Sequence, residues 1–217
     1  MPGSWEYPKP NVLICILTRE LVTMAWAIGY RRLAFPENSS DVFMHGMPFD
    51  HARSFGCQRA LETGHEYLFF LDDDVIPPPD AIHRLIRHNK DIVSGLYYRR
   101  QLPVYPVMMR EMDGKGAQWI TDAKLGDMVE ADLVGSGCLL IKRKVLEVMN
   151  PPWFEWKCDP FRFPDLAPVE RCSEDYDFCR KARALGFKLF VDTSVQCSHA
   201  GHGCSSPGGA YGPLQLP

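Results

Sequence analysis

The alternation of apolar and polar segments along the chain predicts an α/β protein. Short apolar runs at 12–17 and 67–71 are typical of strands buried on both faces, because no polar position interrupts them. Further strands are predicted at 41–44, 91–98, 104–110, 132–141 and 188–191. Since strands alternate with helices in the first hundred residues, the sheet is expected to be at least partly parallel.

Capping residues mark the predicted helices. Asp50 can cap a helix over 50–62, and Ser173 can cap another over 174–185, each followed by a glycine that ends it. Two more helices are predicted, at 24–34 and after the prolines at 77–79. The segment 151–172 is rich in proline and aromatic residues, so we expect a long ordered loop there.

Length and composition fit one domain. With 217 residues, of which 46% are hydrophobic and 24% charged, the chain can bury one substantial core. We expect this domain to occupy residues 1–202. The segment 203–217 is rich in Gly, Ser and Pro, which predicts a flexible tail that becomes ordered over the site when a ligand binds.

Net charge, apolar run lengths and cysteine positions limit the partners and the cellular compartment expected for the protein. A formal net charge of −3 gives no general attraction to nucleic acid or an anionic membrane, so no stable nucleic-acid partner is expected. No apolar run reaches the roughly 20 residues of a membrane helix, and no secretory leader pattern is visible, which favours a cytoplasmic protein without a transmembrane segment. Most of the eight cysteines lie in apolar or periodic segments, which favours reduced, buried thiols: Cys15, Cys57, Cys138 and Cys179.

The strongest chemical signal is the run Asp72-Asp73-Asp74, directly after the strand at 67–71. Three consecutive carboxylates repel one another, and a divalent cation would relieve this repulsion. Mg²⁺ and Mn²⁺ often take only one or two protein carboxylates, while substrate phosphates fill other positions. The run therefore points to a metal-bound nucleoside diphosphate. Because ligands gather at the carboxyl ends of parallel strands, Thr18 and the segment 135–137 are expected in the same crevice.

In order and spacing, the chain resembles glycosyltransferases of the GT-A fold, especially the large inverting family 2. The resemblance spans about residues 11–202 and rests on an ordered set of motifs: Thr18-Arg19, Ala52-Arg53, Asp72-Asp73-Asp74, the stretch 93–100, Gly135-Ser136-Gly137, Ser173-Glu174-Asp175, and Val191-Asp192 followed by His199. It implies a single-domain, Rossmann-like GT-A architecture with a mixed, mostly parallel sheet flanked by helices. The Gln-x-x-Arg-Trp motif of processive synthases is not seen, so a polymerising enzyme is not expected.

The resemblance also implies a role for each matched residue. Asp74 and His199 would bind a Mn²⁺ or Mg²⁺ ion. Asp175, or else Glu174, would be the base that removes a proton from an acceptor hydroxyl. The remaining positions would lie along a nucleotide-sugar donor: Thr18, Arg19, Arg53, Asp72, Asp73, Gly135, Ser136 and Gly137. The implied activity is sugar transfer from that donor to an acceptor hydroxyl, with inversion at the anomeric carbon.

Other interpretations of the same residues stay open. A hydrophobic strand leading into DxD also occurs in phosphatases of the haloacid dehalogenase type, and a non-catalytic nucleotide-sugar or glycan-binding module would keep the metal ligands. Four residues have the ligand types of a structural zinc site: Cys197, His199, His202 and Cys204. Glu174 and Asp175 could be first-turn acids that favour the helix dipole.

Two further groups of residues have both a functional and a structural interpretation. Arg99 and Arg100 could be either site residues or a solvated strand end. The aromatic residues Trp119, Trp153, Phe154 and Trp156 could stack on a sugar face or pack in the core.

Overall fold

A computed structural model describes residues 9–112, 116–167, 170–200, 204–205 and 211–212 of the chain. In chain order, its strands are β1 (Val12–Thr18), β2 (Ser40–His45), β3 (Tyr67–Asp72), β4 (Val75–Ile76), β5 (Ile92–Leu96), β6 (Met108–Met112), β7 (Gly116–Trp119), β8 (Met128–Ala131), β9 (Leu133–Val134), β10 (Cys138–Lys142), β11 (Leu189–Gln196), β12 (Ser198–His199), β13 (Cys204–Ser205) and β14 (Tyr211–Gly212). Its helices are α1 (Met24–Arg32), α2 (Phe49–Glu62), α3 (Ala81–Arg87), α4 (Arg143–Val148) and α5 (Glu174–Ala184).

Seven strands form the central sheet, in the order β2-β1-β3-β10-β5-β11-β8. Strands β2, β1, β3, β5 and β11 run in one direction, whereas β10 and β8 run antiparallel to their neighbours. Parallel neighbours need crossover connections, and helices in these connections cover the faces of the sheet. The mixed, mostly parallel α/β architecture predicted from the sequence is therefore confirmed.

Strand β1 shows how the sheet builds its core on both sides. Successive strand side chains point to opposite faces, so Cys15 and Leu17 pack in a cluster with residues of α2, α4 and α5. Ile14 and Ile16 pack on the other face, with residues of α1 and α3. Burial on both faces explains why the strand is continuously apolar in sequence.

A small second sheet returns the chain to the end of β3. Strand β12 pairs antiparallel with β4, so that His199 lies opposite Val75. The Ala200 amide donates a hydrogen bond of 2.6 Å to the Asp74 carbonyl oxygen. Strands β13 and β14 continue this sheet, and β7, β6 and β9 form a third. The β4–β12 pairing thus delivers His199 to the turn that follows the central strand β3.

Several predicted boundaries are wrong for local reasons. The strand predicted at 104–110 begins only at Met108. The strand predicted at 132–141 divides into β9 and β10, because residues 135–137 belong to neither ladder. Strand β8 and helix α4 are not apparent in the hydrophobic pattern, since they contain only four and six residues. The described residues of 151–172 contain no helix or strand, as predicted.

Of the two predicted helix caps, Ser173 occupies the N-cap position of its helix, whereas Asp50 does not. Helix α2 begins one residue before Asp50, whose carboxylate accepts a hydrogen bond of 3.3 Å from the Trp156 amide. Ser173 is the N-cap residue of α5, but its side chain makes no capping hydrogen bond, and its hydroxyl donates to Asp175 instead. Asp50 therefore contacts the 151–172 loop, while Ser173 bonds to a carboxylate two residues farther along the chain.

Most of the tail at 203–217 lies outside the described residues, so its closure over the site stays a prediction.

In the ranges that the structure describes, no helix is long and apolar enough to cross a membrane. The seven cysteines described up to residue 197 have free thiols, and Cys15, Cys57, Cys138 and Cys179 are buried. The prediction of reduced, buried thiols is therefore confirmed for these residues.

Candidate active site

A cleft of about 400 Å³ opens at the carboxyl end of β3. Of the twelve residues to which the resemblance gives a role, seven line it: Arg19, Arg53, Asp72, Asp74, Glu174, Asp175 and His199. They come from the loop after β1, from α2, from the end of β3, from the start of α5 and from β12. The residues Thr18, Asp73 and 135–137 do not line the cleft, and their contacts give them other roles.

Arg53 is the structural centre of the site. Its side chain is 4% exposed, and its Nη2 atom lies 2.9 Å and 3.1 Å from the two carboxylate oxygens of Asp72. Its Nε atom lies 3.3 Å from Oε1 of Glu174, and its Nη1 donates to the Ser136 carbonyl oxygen at 3.4 Å. Burial raises the pKa of Asp72 and the Arg53 charge lowers it, with a net increase. One buried cation therefore joins α2, β3 and α5 behind the cleft.

Asp73 and Thr18 shape the loop after β1. The Oδ2 atom of Asp73 accepts a hydrogen bond of 2.9 Å from the Arg19 amide, and the Thr18 hydroxyl accepts one of 3.2 Å from the Glu20 amide. Glu20 has a φ of 108°, which is uncommon for a residue other than glycine. These two side chains therefore hold the strained turn that carries Arg19 to the edge of the cleft.

The structure brings Asp74 and His199 together. Nε2 of His199 lies 3.3 Å from Oδ1 of Asp74, and Nδ1 of the same ring lies 2.7 Å from the Tyr98 carbonyl oxygen. Arg100 Nη2 lies 2.9 Å and Arg19 Nη2 3.8 Å from the other Asp74 oxygen, Oδ2. Burial favours a raised pKa for Asp74, but the His199 hydrogen bond and the surrounding positive charges outweigh it and lower this pKa.

The Asp74–His199 pair fits an open metal site. Its carboxylate and imidazole are suitable ligands for Mn²⁺, and the Tyr98 carbonyl orients the ring through Nδ1. Among the described residues, no group of three or more His, Cys, Asp or Glu side chains is placed to hold an ion. Two protein ligands suit a cation that completes its shell with water and substrate phosphates, as Mg²⁺ commonly does.

The surroundings of Cys197 oppose the zinc interpretation. Cys197 is buried, and its sulfur and that of Cys138 converge on Gly95 in the core. Burial, and then the contact with Cys138, raise the pKa of the Cys197 thiol, which opposes the thiolate form that zinc binds. His202 and the side chain of Cys204 lie outside the described residues.

Glu174 and Asp175 are adjacent in sequence but have different surroundings. Glu174 is 7% exposed and is engaged by Arg53. Asp175 Oδ1 accepts hydrogen bonds from the Ser173 hydroxyl and, at 2.9 Å, from the Tyr176 amide. Burial and the neighbouring Glu174 carboxylate raise the pKa of Asp175 to about 7, against the opposite effects of Ser173 and Arg53. Of the two carboxylates, Asp175 is therefore the one suited to exchange a proton near neutral pH.

The Gly135-Ser136-Gly137 segment accommodates Tyr97, a residue that the sequence interpretation missed. The Tyr97 hydroxyl accepts a hydrogen bond of 3.0 Å from the Gly137 amide. A Cβ atom at Gly135 would lie 2.0 Å from that hydroxyl oxygen, and one at Gly137 would lie 3.0 Å from Oδ2 of Asp72. The glycines are thus required for packing beneath the cleft, and the Ser136 side chain is fully buried with them.

Some of the remaining aromatic and basic candidates line the cleft, and others pack in the core. Trp156, 41% exposed, lines the cleft together with Arg99 and Arg100. Trp153 and Phe154 are buried core residues, and Phe154 stacks on Phe178 with ring centroids 4.5 Å apart. The signal in the sequence for Arg99 and Arg100 is their position directly after an apolar strand. Asp72 and Arg19 have similar positions, at the end of β3 and just after β1.

Solved structures show where this architecture has been seen before. A197 from STIV matches with a TM-score of 0.66 and 20% identity, covering 91% of this chain and 90% of that one, which shows a shared fold. Mannose-1-phosphate geranyltransferase from Thermus thermophilus has a TM-score of 0.46 and 13% identity, covering 86% of this chain and 74% of its own. HddC from Yersinia pseudotuberculosis has a TM-score of 0.44 and 13% identity, with 86% and 92% covered. The last two likenesses are too distant to bear on function. No family model and no curated protein matches the sequence.

Proposed function

We propose that this protein is a metal-dependent glycosyltransferase that moves a sugar from a nucleotide-sugar donor to an acceptor hydroxyl. The proposal is carried by one observation: a single cleft holds Asp74 beside His199 and also holds Asp175, whose pKa is raised to about 7. Such a reaction needs a cation for the leaving diphosphate and a base for the incoming hydroxyl. The sequence resemblance to GT-A glycosyltransferases assigns the same residues to these two tasks.

The donor would bind at the Asp74 end of the cleft. Asp74 and His199 would hold a Mn²⁺ or Mg²⁺ ion, which when bound neutralises charge on the departing diphosphate. Arg19 and Arg100 contribute positive charge beside Asp74, and guanidinium groups bind phosphate oxygens well. This cluster of charges suits a diphosphate better than a neutral ligand.

Asp72 would contact the ribose or base of the nucleotide. Its side chain is 25% exposed to the cleft, while Arg53 holds both of its oxygens from behind. A carboxylate fixed in this way can accept hydrogen bonds from hydroxyl or ring N–H donors without first losing the entropy of ordering its own side chain.

Asp175 would take the proton from the acceptor hydroxyl as the new glycosidic bond forms. A carboxylate with a pKa near 7 is more basic than an ordinary aspartate and is still ionised in a large fraction at neutral pH. One base acting on one hydroxyl fits direct displacement, so we propose inversion at the anomeric carbon. Trp156 offers an exposed ring at the same cleft, on which a sugar acceptor could stack.

The test is release of nucleoside diphosphate from a panel of nucleotide sugars, with Mn²⁺ or Mg²⁺ and with a chelator, in the presence and absence of candidate acceptors. We expect slow, metal-dependent donor hydrolysis with at least one donor, and faster release with an acceptor. Loss of release in His199→Ala would tie it to this cleft.

Two results would contradict the proposal. Tight nucleotide-sugar binding with no turnover under any of these conditions would favour a non-catalytic binding module. Hydrolysis of generic phosphomonoesters, abolished by Asp72→Asn, would favour a phosphatase of the haloacid dehalogenase type.

A further inference from the structure

Both oxygens of Asp74 are already engaged by positively charged or hydrogen-bonding groups. His199 takes Oδ1 at 3.3 Å, while Arg100 Nη2 takes Oδ2 at 2.9 Å, with Arg19 farther from that oxygen at 3.8 Å. Arg100 also donates from Nη1 to the Ala200 carbonyl oxygen at 3.3 Å. Its guanidinium thus bridges the turn after β3 and the end of β12, which carry the two proposed metal ligands.

Arg100 differs from Arg53, the other arginine that binds a carboxylate in the cleft. Arg53 is 4% exposed and has partners on three elements, so it cannot leave without unpairing buried charges. Arg100 is 40% exposed and lies on the loop after β5, so rotation of its side chain costs little buried surface. Of the two arginines, only Arg100 can exchange its carboxylate partner for another anion without unpairing buried charges.

We propose that Arg100 takes the place of a metal cation beside the Asp74 carboxylate, through Oδ2, and moves to the donor diphosphate when a divalent ion binds that carboxylate. This inference rests on the proposed function. A guanidinium keeps its charge throughout the physiological pH range, so it repels an incoming divalent ion and competes with it for the Asp74 carboxylate. The same group pairs readily with phosphate oxygens, which gives it a second position once the donor is present.

The consequence is coupling between metal and donor. Metal alone must displace Arg100 and binds weakly, whereas metal bound with a diphosphate leaves Arg100 with a new partner. By linkage, each ligand then raises the affinity for the other by the same factor. The device would limit metal binding in the absence of donor.

The experiment measures Mn²⁺ affinity without nucleotide, by loss of the electron paramagnetic resonance signal of free Mn²⁺, in the wild type and in Arg100→Gln. We expect Arg100→Gln to bind Mn²⁺ on the order of tenfold more tightly, because a competing cation is removed. Arg100→Lys, which keeps the charge, should lie between the two. Arg110→Gln is the matched control, since Arg110 is an exposed arginine that lines a different hollow, and it should leave the affinity unchanged.

Adding His199→Ala to Arg100→Gln should abolish the gain, which would locate the ion at the Asp74–His199 pair. Equal or weaker Mn²⁺ binding by Arg100→Gln, or a gain that survives His199→Ala, would overturn the inference. The proposed function is judged separately, by nucleoside diphosphate release from nucleotide sugars. A tenfold gain in Mn²⁺ affinity without release from any donor would therefore support the role of Arg100 and contradict the glycosyltransferase.

Discussion

Arg53 and Asp72 form a half-buried ion pair across two elements: Nη2 of Arg53, on α2, lies 2.9 Å and 3.1 Å from the two carboxylate oxygens of Asp72, at the end of β3. Glu174 lies 3.3 Å from the same guanidinium, at Nε. The cation is therefore shared by two carboxylates that belong to the predicted donor and base regions. Stability and site geometry depend on the same side chain, and this dependence can be tested.

Arg53→Met should lower the free energy of unfolding by about 3–5 kcal/mol, because it leaves the buried Glu174 and the half-buried Asp72 without their counter-charge. Arg59→Met is the control on the same helix. Arg59 is exposed and lies 3.5 Å from Glu62, so its loss should cost less than about 1 kcal/mol. Urea denaturation of both variants measures the difference. Similar losses for the two would show that the Arg53 network adds no more than a surface pair.

Asp175→Asn should reduce the transfer rate by about 10²–10⁴-fold, since it removes the base while keeping the side-chain volume. Affinity for the nucleotide-sugar donor should stay within a few-fold, because Asp175 lies on a different element from Asp74 and His199. Single-turnover kinetics and calorimetric titration separate the two quantities. A variant with wild-type transfer would leave Asp175 as a first-turn acid of α5 and require another base.

The transfer rate should rise with pH and level off above about pH 7–8. The sign follows from the chemistry: the base must be ionised to accept a proton, and the pKa of Asp175 is raised to about 7. Glu174→Gln removes a negative neighbour and leaves Arg53 with fewer partners, and both changes favour the ionised form of Asp175. The acid limb of the profile should therefore move to lower pH in this variant. An unshifted or oppositely shifted limb would mean that Asp175 does not control it.

Gly135→Ala should destabilise the protein by about 1–3 kcal/mol, because the new methyl group would lie 2.0 Å from the Tyr97 hydroxyl oxygen. Tyr97→Phe removes that oxygen and should restore part of the loss when the two changes are combined. A double-mutant cycle, measured by thermal unfolding, gives the coupling between them. Strictly additive effects would show that the segment avoids Tyr97 by moving and does not need glycine here.

The sequence by itself determined the layers of the fold and the edge on which the site lies. Strands 12–17 and 67–71 are correctly predicted because burial on both faces demands a continuous apolar run, a requirement that acts residue by residue. Polar residues follow the ends of these strands, and parallel strands place those ends side by side. A crevice that contains Arg19 and the 72–74 run can therefore be predicted from short sequence segments.

Only the tertiary structure decided which of those polar residues act together. Asp74 and His199 are 125 positions apart (199 − 74), and they meet because β12 pairs with β4, two-residue strands too short to leave a hydrophobic pattern. Glu174 and Asp175 are adjacent acids that both line the cleft, yet Arg53 pairs with Glu174, while Asp175 accepts hydrogen bonds from Ser173 and Tyr176. The apolar pattern that predicts burial involves residues close together in the sequence. The polar partners in the site are far apart in the sequence, and the order of the strands in the sheet brings them together. That order sets the burial and the neighbouring charges, which in turn set each pKa.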